Sequence, residues 1–360
     1  MNRSEIWRRV GFLTIVLYLF LLSIKLMGLS FKLFGTDFAE QLISFTTNPI
    51  VGLFIGILAT AVVQSSSVTT SIIVGLTATG ALTIGNAIPM IMGANIGTSV
   101  TAAIVSLGHI TRKQEFRKAF EVATVHDFFN FIVVLILFPL ELFTHFLEKS
   151  ATWITQFLLG TNASMSFASP LDVLLKPVSG SIAIALNTNP IAILILSFIM
   201  LFFSLKYFVK IIKPLAESEF KHLLNKHIFS RPLRSFGVGL VLTGIVQSSS
   251  VTTSLVVPLA GVGILTLDRI FPYIMGANIG TTVTSIMASL VTGSPAAVTV
   301  AIVHFLFNSI GCAIISPIRQ VPIAMSRWLA NLSFRSLAYP FGYVVSIFYI
   351  LPGTIIYFLH

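Results

Sequence analysis

Apolar segments alternate with short polar connections along this chain of 360 residues. Since about 20 apolar residues in a helix cross the hydrocarbon core of a bilayer, we predict spanning helices at residues 10–34, 84–107, 120–143, 191–212, 270–291 and 297–318. A last apolar segment, 341–359, predicts a helix that spans or lies along the interface. Two further segments, about 48–80 and 235–263, are interrupted by glycines, serines and threonines. Their hydroxyls need partners away from lipid, so each predicts a re-entrant hairpin with its tip inside protein.

The two interrupted segments carry the same motif. Residues 64–71 read Gln-Ser-Ser-Ser-Val-Thr-Thr-Ser, and the identical stretch recurs 183 positions later at 247–254. The same offset carries Gly-Ala-Asn-Ile-Gly-Thr from 93–98 onto 276–281, and about 26 of the 45 aligned positions that begin at Gln64 are identical. Shared apolar composition does not produce such identity, so one structural unit is used twice.

Composition narrows the class of protein. With 55% hydrophobic and 9% charged residues and a mean hydropathy of +0.95, the chain lacks the charged surface of a soluble domain. The formal net charge of +10 could indicate nucleic-acid binding. The basic residues lie in short stretches between apolar segments, however, as the positive-inside rule expects. We therefore predict an all-α, multi-pass membrane protein without a nucleic-acid partner. The single cysteine, Cys312, excludes a disulfide framework.

Charge also predicts the orientation of the chain. Arg8 and Arg9 place the N-terminus in the cytoplasm, and the first apolar segment, too long for a signal peptide, is interpreted as a retained helix. Basic stretches at 112–118 and 213–234 lie on the same side. The first hairpin then enters from outside and the second from inside, and such inverted repeats are typical of transporters. The predicted division is a first repeat, an external segment, a second repeat and a C-terminal segment at 1–143, 144–187, 188–318 and 319–360.

The chemistry of the hairpin tips favours ion binding. Each Gln-Ser-Ser-Ser tip offers hydroxyls, a carboxamide and helix ends, which suit an oxyanion such as phosphate. Carbonyl, hydroxyl and carboxylate oxygens suit a hard cation such as sodium. The alternative is that these serines and threonines only hold helices together. We interpret the glycines of the second motif as helix-packing positions, and Asn95 and Asn278 as ligand or tip contacts.

Asp127 is the one acid in the middle of an apolar segment. A carboxylate within a spanning helix indicates a functional site. The related motif of the second half reads His304-Phe305-Leu306-Phe307-Asn308, so it keeps the histidine and the asparagine but replaces the acid with Phe305. For His126 and His304 we favour histidines that face the helix bundle with their hydrogen bonds made.

Both pairs of motifs, together with residues 115–130, resemble the type II sodium-coupled phosphate cotransporters over about residues 10–358. The resemblance implies sodium-driven import of phosphate across the cell membrane and no enzymatic activity. We expect phosphate to be bound by Gln64, Ser65, Ser66, Ser67, Asn95, Gln247, Ser248, Ser249, Ser250 and Asn278. We expect sodium, the only metal ion, to be bound by Thr69, Thr98, Asp127, Asn130, Thr252, Thr281 and Asn308. Members of the family that carry net charge have an aspartate where Asp127 stands, which implies electrogenic transport.

The chain departs from the family in two places. Where relatives carry a Gln and an Asp linked to a sodium site, this chain has His109 and Arg112. The long cysteine-bearing loop of the animal proteins is reduced to about residues 160–170, as in a bacterial or minimal member.

Three rival functions are open at this stage. A transporter of sulfate or a dicarboxylate fits the tip chemistry too. A serine-nucleophile enzyme is disfavoured because no Gly-x-Ser-x-Gly elbow is present. Hairpins that meet from opposite sides fit alternating access better than a channel.

Overall fold

The computed structural model describes residues 3–160, 172–225, 229 and 231–359, and every regular element in them is helical. The first half forms α1 (Arg3–Phe34), α2 (Thr36–Phe45), α3 (Pro49–Val63), α4 (Ser66–Thr79), α5 (Ile84–Gly97), α6 (Val100–Ser106) and α7 (Lys113–Thr144). Two helices follow in the predicted external segment, α8 (Phe146–Leu159) and α9 (Asp172–Ala185). Residues 161–171 of that segment lie outside the described residues.

The regular elements of the second half are also helices, but none of the described ones corresponds to the short α2. It forms α10 (Pro190–Asn225), α11 (Pro232–Val246), α12 (Ser249–Gly261), α13 (Leu267–Gly280), α14 (Thr282–Thr292) and α15 (Pro295–Ile315). The C-terminal segment forms α16 (Gln320–Leu332), α17 (Ala338–Val345), a π-helical turn and α18 (Leu351–Leu359). In the described part, seven helical stretches are long and apolar enough to cross a membrane, which confirms the prediction of a multi-pass, all-helical membrane protein.

Both interrupted segments fold as pairs of short helices. In the first, α3 ends at Gln64, whose left-handed backbone (φ 55°, ψ 29°) turns the chain, and Ser65 caps the start of α4. In the second, α11 ends at Gln247 with almost the same backbone (φ 56°, ψ 26°), and Ser248 caps α12. A left-handed conformation is unusual for a residue that is not glycine. Its presence at both glutamines shows that the motif specifies the same tip twice.

Glycines allow the backbone of each hairpin to lie against the helix that follows it. A Cβ atom added at Gly93 on α5 would lie 1.9 Å from the carbonyl oxygen of Leu53 on α3. At the related Gly276 on α13, it would lie 2.0 Å from the carbonyl oxygen of Phe236 on α11. Only glycine permits these approaches. The packing interpretation of the glycines in the second motif is confirmed.

Three details differ from the sequence-based expectation. The predicted helix at 84–107 is divided into α5 and α6, and that at 270–291 into α13 and α14. At the first break the Thr98 hydroxyl donates to the Ala94 carbonyl, 2.8 Å away, and such bonds compete with the helix. Helix α7 begins at Lys113, earlier than the predicted start at 120. The amphipathic helix α16 was not predicted, because its segment lacks a long apolar stretch.

Candidate functional site

The two hairpin tips face one cavity of about 720 Å³. The first tip contributes Gln64, Ser65 and Ser67, and the second contributes Gln247, Ser248 and Ser250. Helix α10 closes one side with Phe202, Leu205, Lys206 and Val209, and α6 adds Thr101 and Val105. Each tip presents the start of a helix, α4 or α12, at this cavity. The cavity therefore combines hydroxyls, carboxamides and two helix N-termini, which favour an anion.

One hydrogen bond links the tips directly. The Ser67 hydroxyl donates to the backbone carbonyl of Gln247 at 2.8 Å. The related Ser250 hydroxyl makes a different contact, to the carbonyl of Thr98 at 3.5 Å. Each tip thus reaches into the opposite half of the molecule, and a change in one tip must affect the other.

The serines of each motif take three different positions. Ser65 and Ser248 cap their helices by accepting from the N–H groups of Val68 and Val251. The third serine of each motif, Ser67 or Ser250, lines the cavity as well. The middle serines, Ser66 and Ser249, are buried (6% and 1% exposed) and do not line it. The structure thus brings two of the three predicted serines of each tip to the cavity.

The two glutamines have unequal surroundings. Gln64 is exposed, whereas Gln247 is 7% exposed and its side-chain amide donates to the sulfur of Met287 at 3.1 Å. The side-chain amide of Gln64 makes no hydrogen bond among the described residues, so it can turn toward a ligand. The side-chain amide of Gln247 already donates to Met287.

Three asparagines form a buried network that links α5, α7 and α15. The Asn130 amide donates to the backbone carbonyl of Asn95 at 2.9 Å, and the Asn308 amide donates to the Asn95 side-chain oxygen at 3.1 Å. Within the described residues, the Oδ1 atoms of Asn130 and Asn308 accept no hydrogen bond. Buried oxygens without donors suit a hard cation. Asn278, the repeat partner of Asn95, is also buried. Among the described residues it makes no hydrogen bond to the three asparagines of this network.

Asp127 is fully buried, and its partner comes from the C-terminal segment. The Tyr343 hydroxyl on α17 donates to Asp127 Oδ2 at 2.8 Å, while Oδ1 has no hydrogen-bond partner in the described part of the chain. Sequence reasoning missed Tyr343 because it lies outside both repeats. A tyrosine in an apolar run carries no pattern that points to a particular carboxylate.

Three of the four predicted threonines, Thr69, Thr98 and Thr252, donate to backbone carbonyls one turn earlier in the chain. Thr69 and Thr252 donate to the carbonyls of the capping serines, each at 3.2 Å, and Thr252 also pairs with Thr243 at 2.7 Å. Thr98 bonds back along α5, and Thr281 is 4% exposed at the end of α13. Their hydroxyl oxygens keep lone pairs that a cation could use.

His109 and Arg112, the two residues at which the sequence departs from the resemblance, belong to one ion-pair cluster. Glu115 accepts from His109 Nδ1 at 2.9 Å and from Arg112 at 2.8 Å. The hydrogen bond and the charge of Glu115 raise the pKa of Arg112. These groups hold the turn before α7, and their side chains are engaged with each other rather than with the tips.

The chain is similar to a known protein family and to individual members of it. The family model described as Na+/Pi-cotransporter matches residues 19–165 and 200–326. Sodium-dependent phosphate transport protein 2B of Pongo abelii and that of Homo sapiens are each 32% identical over 94% of this chain. Sodium-dependent phosphate transport protein 2A of Rattus norvegicus is 30% identical over the same share. The chain spans 63% of the length of the two 2B proteins and 66% of the 2A protein. No solved structure matches it.

Proposed function

The chain belongs to the Na+/Pi-cotransporter family, and on that premise we propose that it is a secondary active transporter, not an enzyme, which imports inorganic phosphate with sodium. The observation that supports this function best is the single cavity lined by both copies of the Gln-Ser-Ser-Ser motif. The relatives named above are sodium-dependent phosphate transport proteins. We place the protein in the cell membrane, with the N-terminus in the cytoplasm.

Phosphate is held in this proposal between the two tips. Its oxygens accept from Ser67, Ser250 and the carboxamide of Gln64, all of which line the cavity. Helices α4 and α12 begin at the same place, so their N-terminal partial charges favour an anion. Because the Ser67 hydroxyl donates to the Gln247 carbonyl across the tips, phosphate competes for that donor when it binds.

Sodium is held in this proposal by buried side-chain oxygens on α7 and α15. The side-chain oxygens of Asn130 and Asn308 and the Oδ1 atom of Asp127 lack hydrogen-bond donors among the described residues. A cation bound there satisfies oxygens whose isolation otherwise costs free energy. Coupling follows because the Asn308 amide donates to Asn95 on α5, the helix packed against the first hairpin.

The cavity lining supports, within this proposal, a cavity that opens to the cytoplasm. Its lining extends from the second tip along α12 through Ser254 and Leu255 to Pro258, near the base of that hairpin. Of the first hairpin, only residues 63–68 at the tip line it. Since basic residues place the base of the second hairpin at the cytoplasm, this conformation is the inward-facing state of an alternating-access cycle.

Uptake of labelled phosphate into proteoliposomes tests the proposal. We expect uptake with an inward sodium gradient and little uptake when potassium replaces sodium. Arsenate should compete because it shares the charge and the donor groups of phosphate, whereas sulfate should compete weakly. Equal uptake without sodium would overturn the coupling. Competition by sulfate as strong as by arsenate would indicate a different oxyanion as the substrate.

A further inference from the structure

One lysine faces the cavity between the hairpin tips. Lys206 lies on α10, and among the described residues that line this cavity it has the only ionisable side chain. The other polar groups there are hydroxyls and carboxamides of the tips and of α6, all of them neutral. Lys206 also lies within the apolar part of α10 that is long enough to cross a membrane. Charged side chains within spanning segments usually face a water-filled cavity or the interior of the helix bundle, and Lys206, which is exposed, lines this cavity.

Aromatic rings surround the charge of Lys206 without neutralising it. Its Nζ lies 5.8 Å from the ring centroid of Phe202 and 5.9 Å from that of Phe203. In the part of the chain that the structure describes, no carboxylate lies within ion-pair distance of this Nζ atom. Cation–π contacts stabilise an ammonium ion but leave its N–H groups able to donate.

We propose that Lys206 is a further phosphate-contacting residue, which supplies the positive charge for the anion in the inward-facing cavity. This inference rests on the proposed transport function and specifies how that site treats its substrate. Hydroxyls and helix ends supply hydrogen bonds and partial charges, but not a full positive charge. A charge-assisted hydrogen bond from Lys206 supplies both a donor and a full charge.

Lys210 provides a matched control on the same helix. It follows Lys206 by one turn, is exposed as Lys206 is, and has its Nζ 5.7 Å from the ring centroid of Tyr207. It is absent from the cavity lining. If the lysines of α10 served only to anchor the helix at the cytoplasmic interface, both substitutions would have similar effects.

The affinity for phosphate on the cavity side tests the inference. Phosphate efflux from proteoliposomes containing one orientation of the protein would be measured for the unmodified protein, Lys206→Gln, Lys206→Arg and Lys210→Gln. We expect Lys206→Gln to raise the KM for phosphate at the cavity side by roughly tenfold to a hundredfold, the usual effect of losing a hydrogen bond to a charged group. Lys206→Arg should retain most of the affinity, and Lys210→Gln should behave as the unmodified protein.

A second variant separates charge from folding. Lys206→Cys can be alkylated to an aminoethyl thioether, which restores an ammonium group, or methylated, which does not. The native Cys312 is buried and should react slowly. Recovery of the phosphate KM on aminoethylation alone supports the inference, and equal recovery by both reagents overturns it.

The outcomes separate this inference from the function on which it rests. If the unmodified protein moves no phosphate, the proposed function and this inference both fail. If the unmodified protein transports phosphate with sodium but Lys206→Gln has an unchanged KM on both sides, only the role of Lys206 is wrong. Equal losses in Lys206→Gln and Lys210→Gln would also overturn it in favour of interfacial anchoring.

Discussion

The two hairpin tips have the same sequence and almost the same backbone, yet their surroundings differ. Thr252 of the second tip pairs with the Thr243 hydroxyl at 2.7 Å, and its carbonyl accepts from Tyr273 at 3.0 Å. At the related positions of the first half stand Thr60, whose hydroxyl has no partner among the described residues, and Met90, which has no hydroxyl. The second tip is thus held by more hydrogen bonds, and the first is the freer of the two.

The two halves also differ in the surroundings of the related helices α7 and α15. Asp127 on α7 is fully buried, whereas the related Phe305 on α15 is 41% exposed. His304 Nδ1 pairs with the Ser285 hydroxyl at 2.8 Å, while its Nε2 atom has no partner among the described residues. The expectation that this histidine makes all its hydrogen bonds is therefore only half met. The residue that corresponds to Ser285 is Ala102, and His126 Nδ1 has no partner among the described residues. Repetition therefore supplies a shared scaffold, and a few substitutions give the halves different electrostatics.

The largest effect on stability is expected at the packing glycines that both halves share. Gly93→Ala and Gly276→Ala should each place a methyl group against a backbone carbonyl, at 1.9 Å and 2.0 Å. Separating the helices to relieve this overlap should lower the free energy of unfolding by about 1–3 kcal/mol or more. Thermal unfolding of purified protein in detergent measures the loss.

Gly244→Ala is the control for these substitutions. Its added methyl group would meet Val283 at 3.6 Å, an ordinary contact. We expect unchanged or slightly higher stability, since alanine favours helix. If Gly93→Ala tolerated heat as well as Gly244→Ala, the close approach of α3 and α5 would be wrong.

The next effect concerns transport rather than folding. Leucine in place of Ser67 or of Ser250 should fill the cavity that both tips line and abolish phosphate uptake, because both tips contribute to one site. Thermal midpoints would show whether each variant is folded, and labelled uptake would be normalised to inserted protein. Normal uptake by either folded variant would remove that serine from the site.

A smaller effect on stability tests whether the second tip is held by more hydrogen bonds than the first. Thr243→Val removes a hydroxyl that pairs with Thr252, and we expect a loss of about 1 kcal/mol. Thr60→Val removes a buried hydroxyl without a partner in the described residues, so it should be neutral or slightly stabilising. Chemical denaturation of the two variants measures both changes. Equal losses in the two halves would contradict the assignment of the first tip as the freer one.

The scaffold could be predicted from sequence because repetition is visible there. The 183-residue offset identified both hairpins, and the glycines at 93 and 276 indicated where helices approach. Positions of individual side chains could not be predicted in the same way. Nothing in three successive serines shows that Ser66 and Ser249 turn away from the cavity, since that depends on the left-handed turn at each glutamine.

Contacts between distant parts of the chain could not be predicted from the sequence pattern. Tyr343 meets Asp127 across 216 positions, and periodicity reports only neighbours on one helix. Lys206 was visible as a charged residue within an apolar segment. The cavity that Lys206 lines could not be predicted, because the hairpin tips lie beside α10 only in the folded chain.

We propose that the carboxylate of Asp127, which is present in one half only, binds a cation that moves with phosphate. Asp127→Asn keeps an oxygen that can accept from Tyr343 but removes the charge. Tyr343→Phe is the matched variant, because it removes the hydrogen bond of 2.8 Å and keeps the carboxylate. Asp127→Asn therefore changes the charge of the pair, and Tyr343→Phe changes its hydrogen bond.

The most direct test measures current and labelled phosphate uptake on the same vesicles for the unmodified protein and these two variants. We predict that Asp127→Asn retains sodium-dependent uptake but moves one positive charge fewer per phosphate, because a sodium ion is lost from the cycle. Tyr343→Phe should retain the ratio of the unmodified protein, even if its stability falls. A charge-to-phosphate ratio in folded Asp127→Asn equal to that of the unmodified protein would contradict the account.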